Sequence, residues 1–467
     1  MAKSRTIFVC DACGYQSPKW SGRCPQCDAW NTLEEMRQTP SRGRHSGTDA
    51  PQHPPVPLTA IPADDDQTRI PSGIGELDRV LGGGLFPGSV ILLAGQPGIG
   101  KSTLTLQLLL KLRSAGRTAL YVSGEESLQQ LRHRAGRLFL PLNDLLMLAE
   151  TNLADIEAHI GQIGPSVVVV DSIQAVYHPD LGGAPGNVGQ VRECAARLFQ
   201  LAKTTGFTLV LVGHVTKDGA VAGPKILEHL VDVVVTFEAN SQEHRLIRAV
   251  KNRFGAANEL GVFEMRSDGL REVSHPAELF LSRRQEAAVG NCVVCSYEGS
   301  RPLLIEVQAL VSKASYGTPQ RTVTGFSHRR LSLILAVLER YCGMNFGYHD
   351  VFVKLAGGLE VDDPGIDLGV AAALHSSLLD DAVPQDAIYL GELGLGGEVR
   401  PVSFADRRVA EAAKLGFSQV FLAAANLPEP KARQAKVLYA PLGRIAELLG
   451  GARPARSDAD RHGKDPS

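Results

Sequence analysis

The chain has 467 residues, of which 44% are apolar and 21% charged, a globular composition long enough for two to four domains. A formal charge of −2 excludes a nucleic-acid surface spread over the whole molecule and leaves only local patches. No apolar run approaches the roughly 20 residues of a membrane span. The start, Met1-Ala2-Lys3-Ser4-Arg5, lacks the apolar core of a signal peptide, so a cytoplasmic protein with no membrane partner is expected.

The first 35 residues carry Cys10-x-x-Cys13 and Cys24-x-x-Cys27, two turns that present four thiolates at tetrahedral corners. They predict a structural Zn²⁺ ribbon, because so short a segment has too little apolar surface to fold alone and metal binding supplies roughly 10–16 kcal/mol. Redox dithiols are the alternative. Lys19, Trp20, Arg23 and Trp30 either contact nucleic acid or form the ribbon's small core. Residues 36–68 are rich in Pro, Ser, Arg and His and read as a disordered linker.

From about Arg69 to Val273 strands and helices alternate, which predicts an α/β domain (69–285) with a mostly parallel central sheet. The stretch that organises it is Gly95-Gln96-Pro97-Gly98-Ile99-Gly100-Lys101-Ser102, followed by Thr103. It fits G-x-x-x-x-G-K-[ST] between an apolar strand, Ser89 to Ala94, and a helix, Thr103 to Leu112, the context this P-loop motif needs. Glycines let backbone N–H groups turn around phosphate oxygens, Lys101 reaches the β and γ phosphates of ATP, and Ser102 holds Mg²⁺. Thr118 to Ser123 is the next strand and ends in Gly124-Glu125-Glu126-Ser127. A carboxylate there faces the nucleotide crevice and can polarise water; the other of the pair suits a helix first turn, and the sequence does not say which is which. Val167 to Asp171 is a β-branched run ending in Asp171, a second Mg²⁺ ligand. Thr208 to Val212 is followed by His214, either a γ-phosphate sensor or a turn cap. Two glycine-rich segments, 178–190 and 216–225, the second with Lys217 and Lys225, leave the same edge and could track a phosphate backbone. Lys251 and Arg253 follow a strand, Leu246 to Val250, and read as cationic fingers across a subunit interface or as a basic patch.

From about Glu286 a second α/β domain (286–451) begins, with a strand at Leu303 to Leu310 and helices at Leu331 to Tyr341 and Asp367 to Leu379. Cys292 and Cys295 read as buried strand thiols, Cys194 and Cys342 as helical core. Lys313, Arg321, Arg329, Arg330, Lys354, Arg407 and Arg408 are possible phosphate contacts, none distinguished from a solvated surface. The tail, 452–467, reads as disordered.

Together the phosphate loop, Gly124-Glu125-Glu126-Ser127, Gly213-His214-Val215-Thr216-Lys217-Asp218-Gly219 and Lys251-Asn252-Arg253-Phe254-Gly255 resemble the bacterial RadA (Sms) family of DNA repair proteins, and the ribbon agrees. The C-terminal part resembles the proteolytic domain of Lon, but Asp367 and Asp406 stand at the positions of its Ser–Lys dyad, so no peptidase activity is expected. The resemblance implies a RecA-like, Zn²⁺-, Mg²⁺- and ATP-dependent motor, a homohexameric ring on single-stranded DNA that drives branch migration or unwinding at branched recombination intermediates beside the RecA recombinase. It implies a cytoplasmic, nucleoid-associated location. It places Glu125 as the catalytic carboxylate, His214 as the sensor, and the two glycine-rich segments as DNA loops. The alternative class is an ATP-switched signalling protein of the KaiC type.

Overall fold

A computed structural model describes residues 5–10, 16–25, 28, 30–38, 57, 59, 69–142, 144–214, 226–239, 244–273, 276–281, 288–314, 318–434 and 436–449. Cys13, Cys27, Lys217 and Lys225, and most of the stretches expected to be linker and tail, lie outside these residues. The chain divides into two compact units, Met1–Glu272 and Val273–Ser467. Among the described residues no helix is long and apolar enough to cross a membrane.

The ribbon is a three-stranded antiparallel sheet of β1 (Arg5–Cys10), β2 (Gln16–Ser17) and β3 (Leu33–Gln38), in the order β2-β1-β3. Among the described residues its buried cluster contains Cys10, Cys24 and Leu33, with Phe8 packed beside them. Trp20 and Trp30 are 58% and 71% exposed, so neither is the ribbon's core.

The elements of the first unit then follow: α1 (Gly75–Leu81), β4 (Val90–Gly95), α2 (Lys101–Ser114), β5 (Ala119–Ser123), α3 (Leu128–Gly136), β6 (Leu146–Ala149), α4 (Leu153–Ile163) and β7 (Val167–Asp171). After them come α5 (Val188–Thr205), β8 (Thr208–His214), α6 (Ile226–Leu230), β9 (Val233–Ala239), β10 (His244–Asn252), β11 (Leu260–Arg266) and β12 (Gly269–Glu272). One nine-stranded sheet runs β12-β11-β10-β9-β4-β8-β7-β5-β6. Six strands, β9 through β6, are parallel; β10 to β12 add an antiparallel meander, so the helix–strand alternation stops after β9. The strands β4, β5 and β7 are buried along their whole length, as strands covered on both faces must be, which explains their unbroken apolar runs. One face packs against α1 and α2 through Leu77, Leu104 and Leu108, the other against α4 and α5 through Ile156, Cys194 and Leu198.

The second unit contains α7 (Ala277–Phe280), β13 (Asn291–Glu298), β14 (Arg301–Lys313), β15 (Arg321–Thr324), α8 (His328–Cys342), β16 (His349–Leu355) and α9 (Asp367–Leu379). It continues with β17 (Ala387–Leu390), β18 (Glu392–Leu393), β19 (Val399–Arg400), α10 (Ala405–Lys414), β20 (Gln419–Ala423), β21 (Leu438–Leu442) and α11 (Ile445–Leu449). A mixed seven-stranded sheet runs β15-β16-β14-β13-β17-β20-β21, and β18 and β19 form a separate hairpin. Cys292 and Cys295 are buried on β13 and Cys194 is buried on α5, whereas Cys342 at the end of α8 is half-exposed, because a helix end protrudes beyond the layer it packs on.

Candidate functional site

Parallel strands end at the same edge, and β4, β8, β7 and β5 are consecutive neighbours. Their register puts Gly95 level with His214, Asp171 with Val212, and Ser123 with Asp171. Residues far apart in the chain are therefore gathered at one crevice by pairing alone. The loop from Gln96 to Gly100 turns the chain from β4 into α2, with Gly98 and Gly100 at positive φ (74° and 119°), backbone that favours glycine. A side chain at Gly95 would meet Phe237 Cβ at 2.8 Å and its carbonyl at 3.0 Å. Lys101, Ser102 and Thr103 form the first turn of α2.

The Lys101 ammonium donates to the Gly95 carbonyl (2.7 Å) and the Gln96 carbonyl (2.9 Å), and lies 3.3 Å from His214 Nδ1. An ammonium only donates, so Nδ1 accepts and the His214 proton sits on Nε2, which faces Glu125 Oε1 at 3.2 Å. The Ser172 hydroxyl donates to the same Glu125 oxygen at 2.5 Å. Burial lowers the Lys101 pKa, against the opposing pull of Asp171 and Glu125. Burial pushes Glu125 up, but hydrogen bonds from Ser172 and His214, together with the Lys101 charge, outweigh it and hold the carboxyl below its usual range. Asp171, at the tip of β7, accepts from the Tyr121 hydroxyl at 2.5 Å, which leaves its other oxygen for a cation. Glu126 turns the other way: its carboxylate pairs with Arg134 of α3, whose N-terminus is closed by a capping box between Ser127 and Gln130. Hard oxygen donors at Ser102 and Asp171 fit Mg²⁺, and the buried thiols of Cys10 and Cys24 within a four-cysteine pattern fit Zn²⁺.

The glycine-rich segment 178–190 is pinned rather than loose. Gln190 is buried and donates to the His178, Leu181 and Gly183 carbonyls while accepting from the His178 N–H. The segment contains no Lys or Arg.

Lys251 lies within β10, which runs two residues beyond the expected strand end, and Arg253 follows it. Asn252 pairs with Val233, itself level with Ile91 near the start of β4, so both cations stand at the edge of the sheet opposite the phosphate loop. At about 3.3 Å per residue the four steps from Ile91 to Gly95 put roughly 13 Å of strand between the level of Asn252 and the phosphate loop. The Lys251 ammonium donates to the Glu228 and Val231 carbonyls, both at 2.7 Å, at the C-terminal end of α6. Burial and the neighbouring Arg253 lower its pKa. Arg253 is 56% exposed and touches Asp232 Oδ1 at 3.4 Å. The carboxylate of Asp232, absent from the sequence-level expectations, holds this corner; an acid just before a strand carries no motif to flag it.

In the second unit Asp367 is buried at the start of α9 and paired with Arg330 Nε at 2.8 Å. Burial pushes its carboxyl up to about 7, against the pull of Arg330. Asp406 is exposed at the start of α10. Three of the basic residues considered as phosphate contacts are committed internally. Arg408 is buried on Asp363 and the Cys295 carbonyl, both at 2.5 Å. Arg330 is held by Asp367, and Arg321 donates to the Phe346 carbonyl at 2.7 Å. Arg407 donates to the Tyr297 hydroxyl at 3.0 Å. Lys313, Arg329 and Lys354 are exposed.

Fold and crevice define a P-loop ATPase: a sheet-edge phosphate loop with a lysine, and an Asp and a Glu gathered at the same crevice, preceded by a zinc ribbon and followed by a Lon-like α/β domain. Family models match accordingly: "AAA domain" over residues 52–220, "Rubredoxin metal binding domain" over 8–35, and "Subunit ChlI of Mg-chelatase" over 308–426. Among full-length relatives, "DNA repair protein RadA" of Halalkalibacterium halodurans is 48% identical over 431 residues, covering 91% of this chain and 94% of the relative. That of Bacillus subtilis is 48% identical over 432 residues, at 91% and 94% coverage. That of Synechocystis is 44% identical over 497 aligned positions, at 99% and 97% coverage. The chain belongs to the RadA family of DNA repair proteins, and it is an ATP hydrolase with Mg²⁺ and Zn²⁺ as its metals.

Proposed function

We propose that this chain is a DNA-stimulated ATPase motor that moves branch points and unwinds strands at recombination intermediates, working as a homohexameric ring on single-stranded DNA beside a RecA-type recombinase. The work is divided among a ribbon at 1–35, an ATPase core at 69–285 and a proteolytically inactive domain at 286–451. The observation that carries the proposal is the arrangement of cations about the sheet. Lys101, His214 and Glu125 meet at one edge, while Lys251 and Arg253 stand at the other, too far to serve their own phosphate loop. Cations so placed complete a second subunit's site, which is how an ATPase becomes a ring motor.

The backbone N–H groups of residues 95–103 cradle the phosphates, and Lys101 exchanges the Gly95 and Gln96 carbonyls for β and γ oxygens. Glu125, kept ionised, orients the attacking water and takes its proton. His214, between Lys101 and Glu125, registers the γ-phosphate at the root of the 216–225 segment, where Lys217 and Lys225 contact the DNA backbone. Arg253, with Lys251 beside it, stabilises charge on the neighbour's γ-phosphate. Mg²⁺ on Ser102 and Asp171 would neutralise phosphate charge, and Zn²⁺ would hold the ribbon's four thiolates. With Asp367 and Asp406 in place of a Ser–Lys pair, the second domain has no nucleophile and serves assembly.

The test is ATP turnover with and without single-stranded DNA. A rise of tenfold or so on adding DNA is expected (P-loop motors are limited by assembly of the complete site). A rate indifferent to DNA would instead indicate an ATP-switched protein-binding device.

A further inference from the structure

We infer that Asp232 is the positioning residue that aims Arg253 at the neighbouring subunit's γ-phosphate. The inference rests on Arg253 acting across an interface, as proposed above.

Asp232 precedes β9 and is 2% exposed. A buried carboxylate persists only when paired and hydrogen-bonded, and this one divides its two oxygens between different tasks. Its Oδ2 accepts from Lys203 Nζ at 2.7 Å and from the Val90 N–H at 3.0 Å, at the start of the strand that ends in the phosphate loop. Those two contacts already satisfy a structural acid. Its Oδ1 faces Arg253 at 3.4 Å. The main chain repeats the connection, since the Arg253 N–H donates to the Asp232 carbonyl at 3.2 Å and the Asp232 N–H to the Val90 carbonyl at 3.0 Å. The base of the finger is thus fixed to the root of β4 by backbone, and its head is drawn by the carboxylate.

The contact to the head is long and involves one guanidinium nitrogen, so it orients the side chain without consuming its fork of donors. Arg253 remains 56% exposed, as a group that must reach a partner has to be. Its neighbours are engaged with one another. Phe254 stacks on Phe86 at 4.3 Å, and the Lys203 ammonium lies over the Phe199 and Phe254 rings at 5.3 and 5.9 Å. Lys251, held on the α6 carbonyls, stands alongside. A long side chain that enters a transition state from solution must first lose its rotamer freedom; a carboxylate that restricts it beforehand removes part of that barrier.

The experiment is subunit complementation of ATP turnover in the full-length chain. Asp232→Asn alone should lower kcat about tenfold to a hundredfold, with KM for ATP within about twofold, because its own phosphate loop is untouched. Mixed with Lys101→Ala, which has a dead loop but an intact finger, it should recover activity, as random mixing in a ring leaves about one interface in four with a good loop facing a good finger. A merely destabilised subunit gives no such recovery. Arg253→Ala mixed with Lys101→Ala is the control. If the control recovers and the Asp232 mixture does not, Asp232 does not act through the finger. If the control also stays inactive, the trans finger itself fails and this inference with it. Full activity of Asp232→Asn alone would also overturn it. Asp232→Glu, which keeps the charge but shifts it by one methylene, serves the same test should the amide fail to fold.

Discussion

At the scale of single residues, the phosphate loop was fully legible because its chemistry fixes both residue type and spacing. Lys101→Ala is expected to reduce ATP hydrolysis at least about a hundredfold while the chain stays folded by circular dichroism; appreciable turnover by that variant would refute the site. The two adjacent glutamates were not legible, since which one faces the crevice depends on the direction of the chain at the end of β5 and on Arg134, over seven residues away in the chain. Glu125 meets Ser172 and His214, so Glu125→Gln should lose about 10²–10³ in kcat while still binding ATP, and Glu126→Gln should stay within severalfold of wild type. Equal losses in steady-state assays of the two variants would contradict the geometry. Asp367 offers a pH test. Its carboxyl is raised to about 7 by burial, well above the ordinary carboxylate value in the unfolded chain. The folded state therefore holds the extra proton between about pH 4 and 7, and the stabilisation it brings is lost as pH rises through 7, at up to about 1.4 kcal/mol per pH unit. Asp367→Asn, which cannot ionise, should become less destabilising relative to wild type as unfolding is followed from pH 5 to 8. A difference independent of pH would mean the carboxylate is ionised throughout.

At the scale of elements, the buried strands of the ATPase core announced themselves, β7 to the residue, because a strand covered on both faces must be apolar without interruption. Strand ends were less visible. β10 extends through Asn252 because its last residues pair with Val233 and Val234, a tertiary fact, and that pairing rather than local propensity sets where Lys251 sits. The antiparallel meander of β10 to β12 was hidden in an expected alternation of helix and strand for the same reason. In the second unit α9 lies directly on β13: a side chain at Gly369 would come within 2.1 Å of Val294 Cγ1 and 3.3 Å of Cys292 Sγ. Gly369→Ala is therefore expected to destabilise that unit by about 1–3 kcal/mol in denaturant titration, although alanine is the better helix former. A neutral or stabilising change would show that the helix stands further from the sheet.

For the whole molecule, the division into ribbon, ATPase core and a second α/β domain followed from motifs and a change of pattern, and the Lon-like character of the last from resemblance, whereas Asp232 and its ties to Val90, Lys203 and Arg253 needed coordinates. The cysteines separate the parts experimentally. Cys295 and Cys194 are buried thiols pushed up to about 12, and Cys292 is raised further in the same direction by burial. A thiol reagent at neutral pH should spare these three before and after chelation, and should reach Cys10, Cys13, Cys24 and Cys27 only once zinc is removed; labelling of Cys292 or Cys295 ahead of the ribbon, read by peptide mapping, would contradict this. The central claim is that ATP turnover at a site shared between subunits drives movement on DNA. The most direct measurement is branch migration of a three-stranded joint molecule, followed by gel, with ATP and either the wild-type chain or Lys101→Ala or Arg253→Ala. Migration by the wild-type chain only is expected; failure of the wild-type chain to move the branch point with ATP, or migration by either variant, would contradict a shared, DNA-driving ATP site.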